Sequence, residues 1–446
     1  MQDGDVEGLI DAFKDLPDPR SERNQEHALM SIVLIAICGA ISGADNWVDI
    51  EAYGKAKEDW LETLVALPNG IPSHDTFGRV FRFMNPEAFQ ERFLGWVRQL
   101  GPLTAGEIVA MDGKQMRGAK DIPAGKEGLY MVSAWAVEQG IVLGQRKVDD
   151  KSNEITAIPE LLDVLALEGC VVTIDALGCQ TEIAEKIVKA QADYVLAVKG
   201  NQGTLSEDID DLFAGFEQAH WQDVSHDYYK SANKDHARLE IRECWVVSEP
   251  HYLGYLRRFP DWKDLRSLIK VVSQRQLNGQ TTTKTRYFIS SLNTTARRCL
   301  AICRDHWHIE NSLHWVLDVA FDQDHNRVHK DHAPQNLPVL QHIALILVKQ
   351  ENSTRASVKT KRLRAGWDNS YLWIILSAPI FMQSPYSKGC SILFQYAVLN
   401  RYKSLKMIFS RRQAKTPKGT VPHFQWGQVC RISGQEHQNL TQLTIS

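Results

Sequence analysis

Between Glu107 and Val198 the spacing of apolar residues changes from helical to strand-like, and the resulting order of segments leaves few folds open. Glu107–Asp112 reads as a strand. Leu129–Glu138 and Ile141–Val148 read as a hairpin about Gln139-Gly140. Ile155–Leu167 is helical, Cys170–Ile174 is an apolar strand closed by Asp175, Thr181–Ala190 is helical, and Tyr194–Val198 is another buried strand. Three strands, a helix, a strand, a helix and a strand predict an α/β domain with a mixed sheet. Such a domain closes with one more helix against the sheet, yet the next strongly periodic helix begins only near Thr295. A delay of roughly ninety residues predicts an inserted unit.

The insertion is itself strand-rich. Ala237–Val247, Leu268–Gln276 and Thr283–Ser291 alternate or favour β-branched residues, and Asn278-Gly279 is a strong hairpin turn. A mainly antiparallel sheet is expected for Gln202–Leu292, outside the central sheet and attached at its edge. Ahead of the strands, Val6–Leu100 reads as helical throughout, with loops at Leu16-Pro17-Asp18-Pro19 and Leu67-Pro68-Asn69-Gly70. Ser73 is a candidate N-cap for a helix carrying Thr76, Arg79 and Arg82. That helix suits a DNA recognition role as well as an ordinary surface one.

The apolar run Ile32–Ile41 is too short to span a bilayer, and the stretch before it is acidic rather than basic. Eight cysteines without a C-x-x-C pair argue against a disulfide framework and a zinc ribbon, so reduced thiols in the cytoplasm are expected. The net charge of −3 hides a segregation: Lys349–Lys418 holds 14 Lys or Arg against 2 Asp or Glu. This suits a protein that grips a polyanion with one part and gathers acids in another; a solvated basic tail is the plainer alternative.

Three distant segments each supply a carboxylate suited to a metal. Asp112 and Asp175 close apolar strands, and Glu310 lies beside the apolar stripe Ile302, Ile309, Leu313, Val316 and Ala320 of the delayed helix. Taken singly, Asp112-Gly113 reads as a turn, Asp175 as a cap and Glu310 as a surface acid. Taken jointly, they suit two divalent cations, Mg²⁺ with Mn²⁺ as a substitute, for phosphoryl transfer. His306, Glu310 and His314 share a helical face, which admits zinc, although hydrogen-bond or DNA partners are the commoner use. Lys114, Arg117, Lys199, Asn201 and Arg304 are candidate phosphate contacts or simple surface residues. Trp47, Trp135, Trp307 and Trp315 are read as core.

The chain also resembles a known family. The matching segments are Leu16-Pro17-Asp18-Pro19-Arg20, Pro72-Ser73-His74-Asp75-Thr76-Phe77-Gly78-Arg79, Met111-Asp112-Gly113-Lys114 and Ile174-Asp175-Ala176. Others are Val198-Lys199-Gly200-Asn201-Gln202, His306-Trp307-x-Ile309-Glu310-Asn311 and Ala365-Gly366-Trp367-Asp368. In order and spacing they look like bacterial insertion-sequence transposases of the ISAs type, the H-repeat-associated group. The likeness runs from about Leu9 to Leu376. It implies an RNase H-like core of the DDE class, with Asp112, Asp175 and Glu310 as catalytic metal ligands. It further implies strand cleavage at the element's ends and transfer into target DNA. Double-stranded DNA is the implied partner, bound in the nucleoid by a homodimer or larger oligomer, without a membrane.

The domains expected on this basis are a helical N-terminal unit at 1–104 and the first part of the core at 105–202. A β-rich insertion at 203–292 and the core's glutamate and closing helices at 293–350 follow. A basic family segment occupies 351–376, and an atypical basic extension occupies 377–446. The chain departs from the family pattern at His236-Ala237-Arg238, Phe321-Asp322-Gln323-Asp324 and Asp331-His332-Ala333-Pro334. Cys303, His306, Glu310 and Leu317 stand where the wider class often has Tyr, Arg, Glu and Lys. A catalytically silent DNA-binding remnant and a stand-alone repair or RNA-processing nuclease are the competing readings.

Overall fold

The computed structural model describes residues 4–119, 128–148, 154–235, 238–277 and 279–377. Backbone proximity divides the chain into residues 1–386 and 387–446, and every described residue lies in the first unit. Apart from Ser377, the expected extension at 377–446 lies outside the described residues, as do His236 and Ala237.

Six helices lead: α1 (Gly4–Phe13), α2 (Leu29–Ile41), α3 (Trp47–Ala56), α4 (Glu58–Leu61), α5 (His74–Phe83) and α6 (Pro86–Gln99). Ser73 caps α5 as its sequence suggests, its Oγ accepting from Thr76 N at 3.3 Å. The strands and helices β1 (Ile108–Met116), β2 (Leu129–Ala136), β3 (Ile141–Lys147), α7 (Glu154–Val164), β4 (Val171–Ile174), α8 (Thr181–Lys189) and β5 (Asp193–Val198) follow. The insertion contains α9 (Gly203–Gln218), β6 (Asp227–Asp235), β7 (Arg238–Val247), α10 (Pro250–Leu253), β8 (Ser267–Leu277) and β9 (Gln280–Ser290). The chain returns through α11 (Ala296–Asp305), a π-helical segment Ile309–His314, α12 (Trp315–Phe321), α13 (Ala333–Gln350), α14 (Val358–Trp367) and α15 (Asn369–Leu376).

The described strands form one sheet in the order β3-β2-β1-β4-β5-β9-β8-β7-β6. β1, β2 and β3 pair antiparallel, while β1, β4 and β5 run parallel. That is the five-stranded RNase H-like arrangement, as the segment order predicts.

The insertion departs from expectation in two respects, the first a correction. It is antiparallel, but it continues the central sheet instead of standing outside it: Val195–Val198 of β5 pairs with Tyr287–Ser290 of β9. Without that pairing the β5 edge would leave buried backbone donors and acceptors unmatched. Only the base of the β8–β9 hairpin is buried; the far half, which β5 does not reach, is exposed. Gly279 has φ +79°, the left-handed backbone that the Asn-Gly signal predicts. The second concerns α9, a helix that the expectation of a mainly antiparallel sheet leaves unnamed. Its Leu205, Ile209, Phe213 and Phe216 are buried, and Phe213 stacks on Tyr287 at 5.6 Å. The opposite sheet face receives α11, through Cys299, Leu300, Ile302 and Cys303.

The helical layer has α2 and α13 at its centre. Every α2 residue from Ser31 to Ile41 is buried, which accounts for the unbroken apolar run. The described residues include no helix long and apolar enough to cross a membrane. Asn336 of α13 donates to Phe81 O (2.8 Å) and Met84 O (2.9 Å), so α13 holds the exit of α5.

Part of the basic stretch after Lys349 is structural. Arg362 is buried; its Nε donates to Ala40 O at 2.8 Å, its Nη2 meets Asp45 at 2.7 Å, and its guanidinium covers Phe321. Lys361 is buried beside Glu351. Arg362→Ala strips two acceptors of their donor and leaves a half-buried aspartate unpaired. A loss of about 3 kcal/mol is expected, read as a lower midpoint in chemical denaturation at unchanged slope.

Candidate active site

Asp112 does not end its strand. β1 continues to Met116, paired with β2 so that Asp112 faces Ser133. Met111 pairs with Ile174 on the parallel neighbour, which puts Asp112 and Asp175 one residue beyond a matched pair on adjacent strands. Sheet register alone therefore brings the two aspartates side by side. Glu310 is carried by the π-helical segment, a rare backbone form that occurs mostly as single turns inside helices and frequently at functional sites.

The electrostatics bind these acids into one group. Burial and then the charges of Glu154, Asp175 and Glu310 push the Asp112 carboxyl up to about 7. Desolvation and the Asp175 charge also raise Glu310 and Glu154. His314 stands 3.5 Å from Asp112, but burial and Lys114 hold the imidazole down to about 4, so it brings no positive charge at neutral pH. Among the described residues no Lys or Arg forms an ion pair with any of the four carboxylates.

Glu154 was not anticipated from the sequence. It opens α7 and lies against Gly113, where a Cβ would overlap its carboxylate. The Asp-Gly pair thus leaves room for a neighbouring acid and makes no turn. Asp175 does form a local turn, its Oδ1 accepting from Leu177 N at 2.9 Å. The turn role and the site role coexist.

Among the described residues no three His, Cys, Asp or Glu side chains are placed so as to hold a metal ion. The carboxylates share a field without a preformed coordination shell. Their donor chemistry nonetheless fits a hard divalent cation: four carboxylates that supply oxygen donors, with no Lys or Arg among the described residues to compensate them.

The candidate phosphate contacts separate into two groups. Lys114 is engaged internally: its Nζ pairs with Asp318 and bonds Gln323 Oε1 at 3.0 Å and His314 O at 3.5 Å, tying β1 to the glutamate helix. Asn201 is a brace, donating to Ala176 O at 2.5 Å, and Gln202 holds Cys179 O at 2.8 Å, so this motif fixes the loop after Asp175. Arg82 pairs with Asp331. Arg79, Arg117, Lys199 and Arg304 are exposed. The zinc set does not assemble either: His306 bonds Thr173 Oγ1 at 3.0 Å, beneath β4, while His314 faces Asp112. Of the four tryptophans read as core, Trp135 is buried, whereas Trp307 and Trp315 are 41% and 60% exposed.

The Transposase DDE domain family matches residues 104–347, and the DDE_Tnp_1-associated family matches residues 10–97. The chain belongs to the DDE transposase family. It is 36% identical over 377 residues to the H repeat-associated putative transposase YhhI of Escherichia coli K12, covering 84% of this chain and 98% of that one. It is 37% identical to the putative transposase YncI of E. coli O157:H7 over 378 residues, covering 84% and 95%. It is also 40% identical over 76 residues to an E. coli K12 protein called inactive transposase YbfQ, 17% of this chain and 90% of that one. Among solved structures it is similar to a piggyBac transposase synaptic complex with hairpin DNA, at 10% identity and TM-score 0.38 over 87% and 85% of the two chains. The fold assignment of this family member rests on its own strand order, not on that loose overlap.

Proposed function

We propose that this DDE transposase family member cleaves DNA strands at the ends of an insertion sequence and joins them to target DNA. Asp112, Asp175 and Glu310 would hold the divalent cations. The observation that carries the reading is the uncompensated acidic group: Asp112 is raised by burial and by three other carboxylates, its neighbour His314 is held neutral, and no Lys or Arg among the described residues pairs with it. Such a group repels itself unless protons or cations enter it. Asp112, Asp175 and Glu310 would hold these as two Mg²⁺ ions, or Mn²⁺ in their place, and the bound cations would supply activation of an attacking hydroxyl and charge stabilisation for a leaving oxygen. Lys114 fixes β1 against the glutamate helix, and the Asn201 brace fixes the loop after Asp175. The partner is double-stranded DNA carrying the element's terminal repeats, engaged by a homodimer or larger oligomer.

The test is incubation of the full chain with a supercoiled plasmid carrying the element's ends, with Mg²⁺ or with EDTA. Magnesium-dependent breaks at those ends, followed by joined products, are expected. Specific binding without breaks is the behaviour of a silent remnant and overturns the catalytic reading.

A pH dependence follows for the metal-free protein. The folded Asp112 carboxyl lies near 7 against 3.8 in the unfolded chain, so the folded state holds the proton more tightly. Its contribution to stability is complete below about pH 4 and is lost as pH rises through about 7. The melting temperature should fall across that window, and Asp112→Asn should flatten the fall. Added Mg²⁺ should raise the melting temperature more above pH 7 than at pH 5 or so, since the cation must displace that proton.

A further inference from the structure

Leu317 and Phe321 lie about two and three helical turns beyond Glu310, and both are buried. An unbroken α-helix would therefore set Glu310 on their row, facing the apolar core. The π segment Ile309–His314 takes up part of a turn, so that Ile309 enters the core and Glu310 is exposed. A π turn dislocates the regular i→i−4 ladder, and a carbonyl moved off that ladder needs a partner. Two ammonium groups reach this turn from outside the helix. Lys349 Nζ of α13 donates to Ser312 O at 2.9 Å, and Lys114 Nζ of β1 donates more loosely to His314 O at 3.5 Å.

Lys349 is not held there by an acid. Among the described residues it forms no ion pair, and desolvation pulls its ammonium down to about 8. Its other contact is the face of Trp135, whose ring centre is 4.3 Å from Nζ. Trp135 pairs with Ala110 of β1, two residues before Asp112, so the ring lies on the sheet face that bears Asp112. Lys349 thus ties the π turn to the strand of the first aspartate. An apolar chain of similar volume would fill the same space without the cost of burying an unpaired charge. The ammonium is therefore there for the carbonyl it meets.

We propose that Lys349 is a positioning residue for Glu310: with Lys114 it holds the π turn against the Asp112 face of the sheet, which keeps the Glu310 carboxylate beside Asp112 and Asp175. The inference rests on the proposed metal chemistry of those acids. It adds the α13 residue that sets their geometry.

The test compares full-chain Lys349→Met and Lys349→Arg with the parent, by amide hydrogen exchange in EDTA and by Mn²⁺ titration followed by electron paramagnetic resonance. Met keeps the volume without the donor, and Arg keeps a cationic donor. In the Met variant the amides of residues 310–317 should exchange about tenfold faster, while exchange elsewhere is unchanged and the melting temperature does not fall. Its Mn²⁺ affinity and its magnesium-dependent cleavage should each drop about tenfold, and Arg should restore most of both. A lower melting temperature with faster exchange throughout the chain makes Lys349 a packing residue and overturns the inference. Exchange and Mn²⁺ affinity unmoved by Lys349→Met, or an Arg variant as impaired as the Met one, also overturns it. If parent and Met variant cleave equally, the clamp fails and the acidic site stands. If exchange responds as expected but the parent makes no metal-dependent breaks, the catalytic reading fails and the clamp stands.

Discussion

Asp175→Asn should lower magnesium-dependent cleavage at the element's ends by about a thousandfold or more while the protein still folds and binds DNA. The carboxamide keeps an oxygen for Leu177 N–H, so the turn after β4 persists. What disappears is one negative charge beside Asp112, Glu154 and Glu310. Removing a cation's ligand forfeits several kcal/mol of transition-state stabilisation, and each ~1.4 kcal/mol is a factor of ten in rate. DNA affinity should change little, because phosphate contacts dominate it. Cleavage at the parental rate would remove Asp175 from the mechanism.

Glu154→Gln should have the next largest effect. Glu154 exerts the largest charge effect on Asp112, after burial, and packs on Gly113 beside it. Gln keeps the volume over Gly113 without the charge. The Asp112 carboxyl should then titrate lower, and the acidic limb of the cleavage–pH profile should move to lower pH. At neutral pH the loss of an outer acid that supports the cation site is expected to slow cleavage by about 10- to 100-fold. An unchanged rate together with an unmoved pH profile would show that Glu154 is a helix-capping acid and no more.

The contrast between Asp175 and Glu154 marks what the sequence reveals. Asp175 closes an apolar buried strand, Val171–Ile174, and buried strands announce themselves by composition. Glu154 stands in the first turn of a helix, where acids are common for dipole reasons alone, so nothing local separates it from a surface acid. Asp112-Gly113-Lys114-Gln115 is polar and reads as the end of a strand. It is a paired strand whose side chains face a cleft and the glutamate helix, which composition cannot distinguish from a loop. Lys114 illustrates the wider difficulty, because its partner Asp318 is 204 residues away. The α9 helix was legible in principle, since Leu205, Ile209, Phe213 and Phe216 keep helical spacing. The joining of β9 to β5 was not, because an edge strand carries no mark of the partner that covers it. Trp307 and Trp315 show the same limit: helical periodicity places them near an apolar stripe, and only the tertiary fold decides which ring meets solvent.

The most direct measurement is anomalous diffraction from crystals of the full chain soaked in Mn²⁺ near neutral pH. Two peaks about 4 Å apart, touched by Asp112, Asp175 and Glu310 and absent from Asp175→Asn crystals, are the expected result. Peaks that avoid these three carboxylates, or peaks unchanged in Asp175→Asn, would contradict the account.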